Sequence, residues 1–189
     1  VVGKTHANEY FKLIASIDLS AHRWVPIGYG NSSNASSFNG YFDGNHQTIT
    51  GLNVDERGNN TDAGLFGAVS VATNEPVLKD LTIENATIYA GDETDDGTLQ
   101  YGAGVLVGSI TLLGGSSAKY AIENCHVSGQ VDSKMYAGGL IGAASYGKIS
   151  NCSADTIVTG NTVSGGFTGY AFSSSFENNT AKGSVTSTG

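Results

Sequence analysis

Proline, positive charge and long apolar runs are all scarce in this chain of 189 residues. Only two prolines accompany 27 glycines, which excludes the composition of a disordered Pro/Gly linker. Glycine is left to serve tight turns and close backbone approach. Nine Lys and Arg stand against 17 Asp and Glu, a formal charge of −8. That is the wrong sign for nucleic acid or an anionic membrane, both of which are held by clustered cations. No apolar run nears the ~18 residues a bilayer-spanning helix needs. No window shows a 3.6-residue apolar stripe with caps, so helix is not expected. No secretory leader is recognisable, and the chain reads as a mature or excised fragment of something longer. Its length suits one domain, 1–189, able to bury a core.

What the chain has instead is a beat. Ile122-Glu-Asn-Cys-His-Val127 returns as Ile149-Ser-Asn-Cys-Ser-Ala154 and as Phe176-Glu-Asn-Asn-Thr-Ala181, so Asn124, Asn151 and Asn178 stand 27 residues apart. The closing glycines of Ala137-Gly-Gly-Leu-Ile-Gly142 and Ser164-Gly-Gly-Phe-Thr-Gly169 keep the same step, as do Val131, Val158 and Val185. A period of this length, rich in Val, Ile, Thr, Tyr and Phe, points to stacked coils of short strands. One coil alone cannot bury its apolar face, so coils stack as parallel strands and equivalent residues form columns. Ile83, Ile122, Ile149 and Phe176 are expected in one column and Asn85, Asn124, Asn151 and Asn178 in another, the asparagines bonding along the stack. About 27 residues suit three strands and three turns, the coil of a parallel β-helix.

Residues 63–189 carry the repeat, and residues 1–62 read as N-terminal coils and a cap. Tyr10 to Leu19 has strand composition, 31–37 reads as a polar loop, and Asp43-Gly44 reads as a tight turn between two strands. From Asn85 to Asn124 the step is 39, which places insertions around 91–99 and 114–119, expected to be loops. Cys125 and Cys152 fall at equivalent places, about 4.8 Å apart if stacked. Two buried thiols are the expectation, with a disulfide as the alternative.

These motifs resemble the GLUG repeat of bacterial surface proteins. The resemblance extends to the lead-in: Trp24-Val-Pro-Ile-Gly28, Phe38-Asn-Gly-Tyr-Phe-Asp-Gly-Asn45, Thr48-Ile-Thr-Gly-Leu52 and Ala63-Gly-Leu-Phe-Gly67. The order of motifs is also similar to the β-helical region of Gram-positive IgA-cleaving metallopeptidases. The resemblance implies an all-β, single-stranded right-handed parallel β-helix, open at its C-terminal end. It also implies an extracellular or cell-surface setting within a longer polypeptide.

The search for chemistry is mostly negative. A zinc peptidase needs His-Glu-x-x-His, and none of His6, His22, His46 and His126 is followed by Glu. Polysaccharide-cleaving β-helices need two carboxylates a few ångströms apart. Glu123 and Glu177 share a column, but Ser150 separates them by two strand spacings, and no basic residue is expected in that column. The acidic run 91–97 offers Asp92, Asp95 and Asp96 as candidate calcium ligands, with a solvated loop tip as the bland reading. Trp24, Phe38 and Phe42 are expected to plug the N-terminal end, which needs covering against edge pairing. Tyr29, Tyr41 and Tyr101 are left as candidate binding residues for a host protein or glycan. The expectation is a non-catalytic extracellular module, a stalk or adhesion surface, lacking a resident cofactor. The alternatives are an accessory part of a secreted peptidase and a carbohydrate-binding or carbohydrate-active β-helix. Function is expected where the beat breaks: 29–41, 91–101 and 114–119.

Overall fold

The computed structural model describes residues 9–31, 34–71, 77–91, 99–112 and 120–188. Among these there is no helix, and all but one pair of strands run parallel, in three stacked sheets. The coil of residues 136–160 shows the plan. Tyr136–Gly138 joins a three-stranded sheet and Ile141–Ser145 a four-stranded one. Lys148–Ser150 and Ser153–Gly160 both lie in a ten-stranded sheet. The protein is a parallel β-helix. Its coils carry four strand segments rather than the expected three, because the longest stretch bends in the middle.

That bend is where the asparagines sit. Asn124, Asn151 and Asn178 have φ of 51°, 55° and 55°, a left-handed conformation that Asn and Asp tolerate better than other residues with a Cβ. The bend lets apolar residues on both arms face one interior. Ile122 stacks on Ile149 and Phe176, and Val127 on Ala154 and Ala181. The earlier member of the asparagine column is Asp80, not Asn85. Leu78, Lys79 and Leu81 pair with Ile122, Glu123 and Cys125, Asp80 has φ 53°, and Asn124 Nδ2 donates to Asp80 Oδ1 at 2.7 Å. Ile83 consequently stacks on Val127 rather than Ile122. Asn85 (φ 55°) occupies a bulge of one extra residue opposite Ser128, so two left-handed residues, Asp80 and Asn85, lie five apart in sequence and only Asp80 belongs to the repeat. The Glu123–Ser150–Glu177 column is as expected, but it also contains Lys79, and Lys148 Nζ reaches Glu177 at 2.6 Å.

The recurrent glycine that closes each Gly-rich segment has one physical role. A Cβ on Gly108 would come within 2.6 Å of Ala63 N, one on Gly142 within 2.3 Å of Ala103 N, and one on Gly169 within 2.9 Å of Ala137 N. Each glycine therefore lets its coil settle onto the backbone of the coil before. Between these contacts lie Leu65, Leu106 and Leu140, all in the core.

Elsewhere the sequence expectations need adjusting. Tyr10–Lys12 and Ile17–Asp18 are two short strands rather than one. Asp43-Gly44 is not a turn between separate strands: Tyr41–Thr50 runs through it, bending at Asn45 and His46 (φ 52° and 56°). Residues Tyr29–Asn31 and Asn34–Ser36 form an antiparallel hairpin where a plain loop was expected. Phe38 and Phe42 pack on Phe66, and Trp24 Nε1 donates to Leu65 O at 3.0 Å, so these rings belong to the first coils. Cys125 and Cys152 are free and buried, with Cys125 N donating to Cys152 Sγ at 3.4 Å. In the last described coil Phe176 and Val185 continue buried columns yet are 42% and 47% exposed.

Candidate functional site

The seam between the three-stranded and four-stranded sheets is where unlike residues meet. Along the first sheet, the bridge between Ala63 and Ala103 places Asp62 beside Gly102, and Gly102 pairs with Tyr136. Along the outer face of the second, Ala68, Ser109, Ala143 and Tyr170 are in register. Residues of the first column reach those of the next coil in the second. Ser109 Oγ donates to Asp62 Oδ1 at 2.5 Å, and Tyr136 stacks on Tyr170 with ring centroids 5.1 Å apart and planes 24° apart. Between these two couples stand Gly102 and Ala143; the space beside Gly102 is taken by the Gly108 carbonyl and Ala143 N, so Ala143, with its single methyl, forms the floor. The result is a notch, walled by a carboxylate on one side and an aromatic pair on the other. Its walls stand two strand spacings, about 9.6 Å, apart at the backbone.

The notch opens into a cleft of about 350 Å³, within the range of small-molecule sites. Ser37, Ser70, Gln100, Thr111 and Ser145 add uncharged polar groups, and Asp62 is the one carboxylate among its described lining residues. Asp62 is 5% exposed. Its Oδ1 accepts from Gly102 N at 2.8 Å as well as from Ser109, and no hydrogen bond from the described residues reaches Oδ2. Burial pushes the Asp62 carboxyl up to about 7, against the two hydrogen bonds that favour its ionised form. Burial, and then the neighbouring Tyr170, raise the Tyr136 phenol as well.

A second, larger groove of about 520 Å³ runs over the outer face of the ten-stranded sheet, past Arg23, Asn53, Asp55, Arg57 and Tyr89. Its groups are already engaged. Arg57 forks onto Asp55 at 2.8 and 2.7 Å and lies 4.4 Å over the Tyr89 ring. The same fork holds the Asp55 carboxyl down at about 2. Gln130 Nε2 donates to Tyr89 Oη at 3.2 Å. These are partly exposed pairs worth little in stability, and they already occupy the charged groups of Asp55 and Arg57.

The candidates named from sequence scatter. Tyr29 is half exposed on the hairpin, and Tyr41 stacks on Tyr10 at 4.3 Å. Neither is among the residues lining the cleft. Tyr101 is fully buried, its hydroxyl filling the space a side chain at Gly91 would need. It is part of the core and also lines the cleft beside the notch. Asp92, Asp95 and Asp96 lie outside the described residues, as does the segment 114–119. Sequence reasoning missed Asp62, Gly102, Ser109, Tyr136 and Tyr170. The available signal was the column itself: Asp, Gly and Tyr preceding successive Ala-Gly segments.

Halomucin from Haloquadratum walsbyi is 32% identical to this chain over 140 residues, 70% of the chain. The chain spans about 1% of the length of that relative. No solved structure matches. The GLUG motif matches residues 134–159, a stretch that contains Tyr136–Gly138, Ile141–Ser145, Lys148–Ser150 and nearly all of Ser153–Gly160. The chain therefore carries a GLUG motif, and that motif is one whole coil of its parallel β-helix.

Proposed function

We propose that this chain is a non-catalytic module of an extracellular surface protein, a rigid stalk whose outer faces serve adhesion. The observation that carries this reading is what the motif residues do. Gly142, Asn151 and the apolar residues between them stack the coil and fill its core, which is the work of a scaffold. The likeness to halomucin supports a surface setting. The notch supports binding over turnover, since hydrolysis of a glycosidic bond uses two flanking carboxylates and its described lining supplies one.

Limited proteolysis of intact cells that express the parent protein from its own locus tests the location. Loss of antibody signal for this chain without cell lysis is the expected result, and protection until lysis would overturn the surface reading. Release of reducing sugar from a polysaccharide panel by the purified chain would overturn the non-catalytic part.

A further inference from the structure

The geometry points to the Asp62–Tyr170 notch as a binding site for an uncharged saccharide, one pyranose ring seated over Ala143. Four observations converge on this ligand class. Asp62 lines the cleft with both of its side-chain hydrogen bonds from the described residues on Oδ1, so Oδ2 can accept from a ligand hydroxyl. Opposite it, Tyr136 and Tyr170 offer stacked rings, Tyr170 being 40% exposed, and the apolar C–H face of a pyranose suits an aromatic surface. The single methyl of Ala143 leaves the gap between them, about two strand spacings wide. Finally, the described lining holds no Lys or Arg, and its polar side chains other than Asp62 are hydroxyl and amide groups. That argues against an anionic ligand, which Asp62 would repel once ionised.

The notch belongs to the fold and to this chain. It arises where the residues before the Ala-Gly segments change from Asp62 to Gly102 to Tyr136, so a coil stack of identical repeats would not contain it. The proposal deepens the surface reading by naming a ligand class, and rests on it only for where that ligand is met.

The test is direct binding of the purified chain to arrayed unbranched oligosaccharides of glucose, galactose and mannose, each beside its sulfated counterpart, followed by titration of the best binder. Binding of an uncharged oligosaccharide, with its sulfated counterpart weaker, is expected. Tyr170→Ala removes an exposed ring and should weaken it about tenfold. Ala143→Leu fills the notch without removing any polar group and should abolish it. Asp62→Asn at pH 8, where the wild-type group is ionised, should weaken it about tenfold by removing a charge-assisted bond. Circular dichroism and the thermal midpoint of each variant show that the fold is kept. Failure of every uncharged sugar to bind would overturn the proposal while leaving a surface location intact. So would preference for the sulfated partners, or binding indifferent to both Tyr170→Ala and Ala143→Leu. A chain that binds sugar through the notch but is protected from protease on intact cells would keep the proposal and remove the surface reading.

Discussion

Asp62→Asn should stabilise this protein, and increasingly so as pH rises. The wild-type carboxyl is raised from the ordinary 3.8 to about 7 because it is almost wholly enclosed. Between those two values the unfolded chain has released the proton while the folded chain still holds it. The folded state then binds more protons than the unfolded one, so stability falls as pH rises through that window. Below about 4 both states are protonated and above about 7 both are ionised, and the contribution is flat at each end. The difference of about 3 pH units, at ~1.36 kcal/mol each, amounts to about 4 kcal/mol. Exposure of only 5% means that solvent screening takes little from it. Asn keeps an acceptor for Gly102 N and Ser109 Oγ but has no proton to lose. Urea midpoints measured from pH 4 to pH 8 for the two proteins should therefore diverge, the variant gaining up to about 4 kcal/mol at the alkaline end. Parallel curves would refute the reasoning, since they would mean that Asp62 titrates as a solvated carboxyl.

Three further expectations concern the scaffold. Gly142→Ala should cost about 3 kcal/mol, because its Cβ would lie 2.3 Å from Ala103 N, backbone of the preceding coil; an unchanged thermal midpoint would dismiss the close-approach account of the repeat glycine. Asn151→Ala should cost about 1–2 kcal/mol for a left-handed residue, while Asn151→Gly should stay within about 1 kcal/mol of wild type. Equal losses in chemical denaturation would assign the asparagine's role to its side-chain bonds instead. A thiol reagent should label neither cysteine in the folded protein and both in denaturant, since both are buried and burial pushes the Cys125 thiol up; rapid labelling in the folded state would contradict their enclosure.

The chain dictates its architecture where the count is strict. Asn124, Asn151 and Asn178, together with Gly142 and Gly169, are legible in sequence because each answers a local demand: a left-handed bend, or a backbone approach that admits no Cβ. Such demands recur every coil and depend on neighbours at a fixed offset. Where insertions interrupt the count, the reading slips. Asn85 looked like the next member of the column because Ile83-Glu-Asn-Ala86 matches the Ile-x-Asn motif, while the true member, Asp80, carries a different residue type and Asn85 sits in a bulge. The tertiary structure alone decided the notch. Asp62 and Ser109 are 47 residues apart, and Tyr136 and Tyr170 are 34 apart, neither a multiple of 27. Parallel stacking brings them together because strand pairing, and not sequence distance, sets which side chains share a seam. The repeat fixes the scaffold through local conformation; the site exists only through the register of coils whose lengths differ.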